Sequence, residues 1–194
     1  MGSGEEVVAD SDVTNANLLL VEYGHLKDEQ KSRVTFRDNL IYVNLASMAT
    51  VIAAALSAKG HANLLLLLPP VSALLGWTYL VNDEKISAIG RYIREEIQPR
   101  LTAHANDSQT VFGWEWVHRS DARRTSRKLL QFAVDLTAFC LAPLAAITVF
   151  WVCGPRTVPF LTISIVETLV VIVLIVQITV YLDARQGASS DPEA

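Results

Sequence analysis

Between Asn39 and Ala58 the chain runs for about twenty residues, NLIYVNLASMATVIAAALSA, without a charge. A helix of that length crosses the ~30 Å hydrocarbon core of a bilayer. Three more such stretches follow, at 62–81, 129–153 and 158–182, and the only charged residues in them are Asp135 and Glu167. With 51% hydrophobic and only 19% charged residues, the composition is that of a membrane protein. The expected fold class is all-α: a polytopic membrane protein, a four-transmembrane-helix bundle with amphipathic helical extensions in the cytoplasm. A length of 194 residues suggests one domain.

Taken in order, residues 1–13 are acidic and polar and read as a disordered tail. From Thr14 the pattern is helical and free of proline, with Leu19, Tyr23 and Leu26 on one face and Glu29 spaced to pair with Arg33. A cytoplasmic helix over 14–38 would run straight into the first span at 39–58. Unbroken from Thr14 to Ala58 it would be about 67 Å long, with Gly24 as the one point of break. A short turn leads to the second span at 62–81, where Pro69-Pro70 must kink or interrupt the helix and Ser72 is placed to serve a freed carbonyl. The segment 83–128 begins with a stripe of Ile86, Ile89, Ile93 and Ile97, an amphipathic helix ended near Pro99. Such a stripe needs cover. The third span covers 129–153 and the fourth 158–182, joined by the tight turn Gly154–Thr157; the tail 183–194 reads as disordered.

Arginine and lysine placement sets the topology. Lys27, Lys31, Arg33 and Arg37 precede the first span, and Lys85, Arg91, Arg94, Arg100, Arg119, Arg123, Arg124, Arg127 and Lys128 lie between the second and third. The other two connections carry only Lys59 and Arg156. Both termini and the long middle segment are therefore expected in the cytoplasm, with the chain in the cell (inner) membrane. No basic region precedes an apolar stretch at the N-terminus, so the first span is expected to act as its own uncleaved insertion signal.

Polar groups inside a membrane are the first candidates for function. Glu167 lies nine residues into the fourth span, near the middle of the bilayer. It suits a proton or cation site or the lining of a pore; the plainer expectation is a protonated acid making one interhelical hydrogen bond. Asp135, Asn44 and Gln177 fall at similar depth on three different spans, so they suit a buried network or the inner mouth of a cavity. The plainer alternative pairs Asp135 with Gln131, Arg127 or Lys128, while Asn44 and Gln177 hold helices together.

Small residues recur every four positions at Ala46, Thr50, Ala54 and Ala58 on the first span, beside Ala49, Ala53 and Ser57, and at Ala138, Ala142 and Ala146 on the third. Such files allow close packing, within the bundle or between subunits of a homo-oligomer. Arg119, Arg123, Arg124, Arg127 and Lys128 form a juxtamembrane basic run that attracts the anionic surface of the lipid bilayer, at about 1 kcal/mol per charge. The same run suits a phosphate-bearing ligand such as a nucleotide. A net charge of −4 gives no global basicity, and nucleic acid is not expected as a partner.

Cys140 and Cys153 are thirteen residues apart on one helix, roughly 20 Å, too far to bond, and read as packing residues. His25, His61, His104 and His118 are scattered, and no metal-ligand spacing, P-loop, nucleophile elbow or dinucleotide fingerprint is present. No cofactor, no metal and no enzymatic activity are expected.

The segment Glu22–Leu40, EYGHLKDEQKSRVTFRDNL, leads directly into a span. It resembles the entry helix of small bacterial four-span integral membrane proteins, and the layout is similar to that of the transmembrane effectors of Pycsar antiphage systems. The resemblance implies cytosolic helices that sense a signal and spans that then act on the membrane; it carries no ligand-binding residue. Three functions follow as expectations: an oligomeric membrane effector or pore-former controlled by its cytoplasmic helices, a non-catalytic scaffold recruiting a cytosolic protein, or a small channel or transporter using Glu167 and Asp135.

Overall fold

The computed structural model describes residues 3–57, 61–104 and 124–187, with side chains over 15–57, 61–103 and 130–181. Every element among them is helical. Helix α1 spans Ser3–Ser57. A 3-10 helix, Ala62–Leu67, leads into α2, Leu68–Tyr92; a π segment, Ile93–Ile97, follows, then α3, Gln98–His104. Helix α4, Arg124–Leu136, passes through a second π segment, Thr137–Leu141, into α5, Ala142–Cys153, and α6 spans Val158–Gly187. Four of these helical stretches are long and apolar enough to cross a membrane. The chain is a multi-pass membrane protein with an all-helical bundle.

Several local expectations need correction. No proline interrupts residues 3–57, so the helical backbone starts at Ser3 rather than Thr14 and passes through Gly24 without a break. At the other end α6 continues to Gly187, past residue 182. Pro69 and Pro70 fall in the first turn of α2, where the 3-10 helix gives way to the α-helix. Their missing N–H groups are tolerated there. The one-domain expectation also fails: the chain divides into two compact units, 1–36 with 82–124, and 37–81 with 125–194.

In the first unit, α1 and the α2–α3 run pair antiparallel. Asn82 Nδ2 donates to the Arg33 carbonyl at 2.6 Å, Gln30 Nε2 to the Ile86 carbonyl at 3.4 Å, and Tyr92 Oη to Glu22 Oε1 at 2.8 Å. Arg33 Nε donates to Glu29 at 2.9 Å, the expected i,i+4 pair. The isoleucine stripe finds its cover here. Ile93, Ile97 and Leu101 are buried against Leu19, Tyr23 and Leu26 of α1, each contributing about 2 kcal/mol by leaving water.

That stripe does not stop at Pro99. The π segment ends two residues before this proline, and the Gln98 N–H bonds to the Ile93 carbonyl, one residue further back than in an α-helix. The second π segment stands in the same relation to Pro143, with the Ala142 N–H bonded to the Thr137 carbonyl. A proline in a continuing helix lacks a ladder N–H and crowds the carbonyl four residues earlier; a wide turn just ahead of it relieves the crowding. The helices thus pass both prolines instead of ending.

In the second unit the core joins all four spans: Leu40, Tyr79, Phe139, Cys140, Val171, Leu174 and Ile178 are buried together. Helix α6 presents Ser164, Glu167, Val171, Leu174 and Ile178 inward, at spacings of 3, 4, 3 and 4. Gly76 allows α2 to approach α6 and the second π segment closely; a Cβ there would lie 3.0 Å from Leu174 Cδ2 and 3.1 Å from Phe139 Cβ. Cys140 is buried as expected, but Cys153 is exposed at the end of α5.

Candidate functional site

Asn44 lies at the centre of the second unit's polar contacts. It is fully buried, donates from Nδ2 to the Ala138 carbonyl at 2.8 Å, and accepts from Ser72 Oγ at 2.9 Å. The reason for the first bond is local to the third span. The Ala142 N–H that an α-helix would give to Ala138 is taken by Thr137, and the next residue, Pro143, has none to give. The Ala138 carbonyl therefore has no ladder donor, and a buried carbonyl without a donor is costly in a membrane interior. Asn44 supplies the donor from the first span and Ser72 of the second completes it. One side chain thus ties three spans at the π segment. Ser72 serves Asn44 rather than a carbonyl of its own helix.

A second polar layer surrounds Tyr79. Gln131 Nε2 donates to Tyr79 Oη at 2.7 Å and to Asp135 Oδ1 at 2.9 Å. The Tyr79 ring packs on Phe139 with centroids 5.3 Å apart, and the Arg37 guanidinium lies 6.0 Å from the ring centroid while pairing with Asp38 at 3.1 Å. Asp135 therefore takes the plainer of its two roles, held by Gln131. The alternative of a network joining Asn44, Asp135 and Gln177 does not form: Asn44 bonds to Ser72 and Ala138, Asp135 bonds to Gln131, and Gln177 is exposed on α6.

Glu167 is different. It is 9% exposed, on the inward stripe of α6, and its Oε2 is buried without a hydrogen-bond partner. The expected interhelical bond is absent among the described residues. The hydroxyls beside it are already committed to their own helix, Ser164 Oγ to the Leu161 carbonyl at 2.9 Å and Thr168 Oγ1 to the Ser164 carbonyl at 2.7 Å.

The two small-residue files have opposite fates. On the first span Ala46, Thr50 and Ala54 are exposed, as are Ala49, Ala53 and Ser57; Ala58 lies outside the described residues. On the third span Ala138 is half-buried, and Ala142 and Ala146 line a cavity of about 440 Å3. Met48, Ile52, Leu65 and Leu68 form much of the rest of its wall, and His61 is the one polar side chain on it.

Of the basic run, Arg119 and Arg123 lie outside the described residues, as do Trp114, Trp116 and His118. Arg124, Arg127 and Lys128 belong to the first turns of α4, their side chains outside the described set. No cluster of three metal-ligating side chains occurs among the described residues.

Sequence reading missed Ser72 as Asn44's partner, the role of Tyr79, and both π segments. Pro143 was the available signal for the last, since a proline inside a span must orphan a carbonyl. No protein-family model, curated protein or solved structure matches the chain.

Proposed function

We propose that the chain acts in the cell membrane as an oligomeric effector, assembled through its first span and controlled by the helical pair formed by 15–36 and 82–104 on the cytoplasmic side. The observation that carries this reading is the exposure of the first span's small-residue face. Only 11% of that span's most apolar stretch is buried, against 33%, 33% and 28% for the other three. Its hydroxyls are satisfied internally, Ser47 by the Val43 carbonyl and Thr50 by the Ala46 carbonyl, both at 2.8 Å. Such a face lets a second helix backbone approach closely with no polar group left bare, and close approach is what drives helix association in lipid. The positive-inside rule supports the cytoplasmic placement of the paired helices.

The test is the mass of the detergent-solubilised complex together with membrane potential on expression. The wild type is expected as an oligomer that depolarises the cell, and Ala46→Leu with Ala54→Leu as a monomer that does not. A monomeric wild type would overturn the proposal. A scaffold is the second reading, favoured by Leu18, Leu20 and Val21, which are 63%, 49% and 58% exposed on α1. A leakless, non-toxic chain that retains a soluble protein through the 15–36 and 82–104 pair would select it.

A further inference from the structure

We propose that Glu167 is a proton-binding site inside the membrane: a carboxylic acid that holds its proton within the bundle and is reached from lipid rather than from water. Nine residues of α6 put it about 14 Å from that helix's start, near the middle of a ~30 Å hydrocarbon layer. Its Oε2 is buried and unpartnered, and neither neighbouring hydroxyl is available to it. Backbone contacts to α6 come from α5, the 3-10 helix and the second π segment, and α1 and α2 pack on it further along, where Leu40 and Tyr79 are buried with Val171, Leu174 and Ile178 and Gly76 lies against Leu174. The first three carry no lysine, arginine, histidine or acid, only Cys140 in the π segment and Cys153 at the far end of α5; on α1 and α2 the titratable groups beside the shared core are Tyr79, which accepts from Gln131, and Arg37 and Asp38, which pair with each other. No described metal-ligand cluster brings a cation.

A carboxylate stripped of water, counter-charge and hydrogen-bond donors is far costlier in hydrocarbon than the neutral acid. The geometry therefore holds a proton on Glu167. Removing it would leave a bare, unpartnered charge inside the packed bundle. Ionisation is thereby linked to opening of that packing, whether to water, a cation or a new partner. The inference stands whether or not the chain self-associates.

The full chain in phosphatidylcholine nanodiscs, treated with dicyclohexylcarbodiimide, provides the test. The acid adds across one C=N bond: the carboxyl oxygen bonds to the central carbon and the proton passes to nitrogen. Where water is excluded, the resulting O-acylisourea rearranges to a stable N-acylurea by acyl transfer from oxygen to nitrogen. Nothing leaves and nothing is oxidised. The adduct is expected at Glu167 by peptide mass and should be lost in Glu167→Gln. A water-soluble carbodiimide with glycine ethyl ester should convert exposed acids such as Asp28 and Glu84 to amides, the amine displacing the urea, and leave Glu167 unmodified. Failure of the lipid-soluble reagent at Glu167, or labelling there by the water-soluble one, would overturn the proposal. Infrared difference spectra of wild type against Glu167→Gln give a second measurement that needs no adduct. A carboxylic-acid carbonyl band is expected, and a carboxylate band in its place would refute it.

Discussion

Replacing Asn44 by leucine keeps much of the side-chain volume and removes both of its interhelical hydrogen bonds. The two losses are unequal. Ser72 can turn back to a carbonyl of its own helix, as Thr78 does to Leu74 at 2.8 Å, so its cost is small. The Ala138 carbonyl has no such recourse, because Thr137 holds the Ala142 N–H and Pro143 offers none. An unsatisfied buried carbonyl costs about 1–3 kcal/mol, and interhelical hydrogen bonds in membranes reach about 1.7 kcal/mol. Asn44→Leu should therefore destabilise the bundle by about 1–2 kcal/mol, read by reversible unfolding in mixed detergent micelles. The decisive background is Pro143→Ala, which restores an N–H for Ala138 and should make the Asn44→Leu cost nearly vanish. Independent sites add to within about 0.5 kcal/mol. If the two changes prove additive, Asn44 is not there for the carbonyl, and the reasoning from the π segment fails.

Gly76→Val brings side-chain atoms to where a Cβ would already lie 3.0–3.2 Å from Leu174 and Phe139, and should cost about 1–3 kcal/mol by overpacking in the same unfolding assay. Ile97→Ala empties the cover between α1 and the α2–α3 run. It should cost about 2–5 kcal/mol, read as lost hydrogen-exchange protection over 82–104 with the spans unaffected. The Tyr92 phenol is held above its ordinary value of 10.0, first by its hydrogen bond to Glu22 and then by that carboxylate's charge. A raised value means the contact's contribution is full below the unfolded tyrosine range and is lost as pH rises through the folded one. Glu22→Gln should bring the Tyr92 transition, followed by ultraviolet absorbance, back toward the ordinary value; no movement would break the assignment.

The four spans were legible because each is a run of apolar residues of bilayer length, a property of composition alone. The isoleucine stripe was legible for the same kind of reason, since Ile93 and Ile97 repeat at helical spacing and something had to cover them. Depth along a span was also readable, but direction around it was not. Gln177 and Ile178 are adjacent, yet one is exposed and the other buried, because each residue turns the helix by about 100 degrees. Equal depth therefore did not bring Gln177 to Asn44. The partner of Asn44 was hidden for a different reason. It is a backbone carbonyl 94 residues away, made available only by a hydrogen-bond shift that a proline imposes on another helix. No side-chain pattern announces such a group.

The π segments bear on how this chain can change length. A π turn holds one more residue than an α turn for nearly the same rotation. Deleting a single residue from 137–141 would return the third span to α geometry while leaving Leu136 and Ile147 on their present faces. The same deletion anywhere else in that span would swing every following side chain by about a quarter-turn or more, from core to lipid. Of all positions in the third span, these five are where a lost residue can be absorbed, and a tolerant gap there beside an intolerant one in α5 would mark the segment in any set of deletion variants.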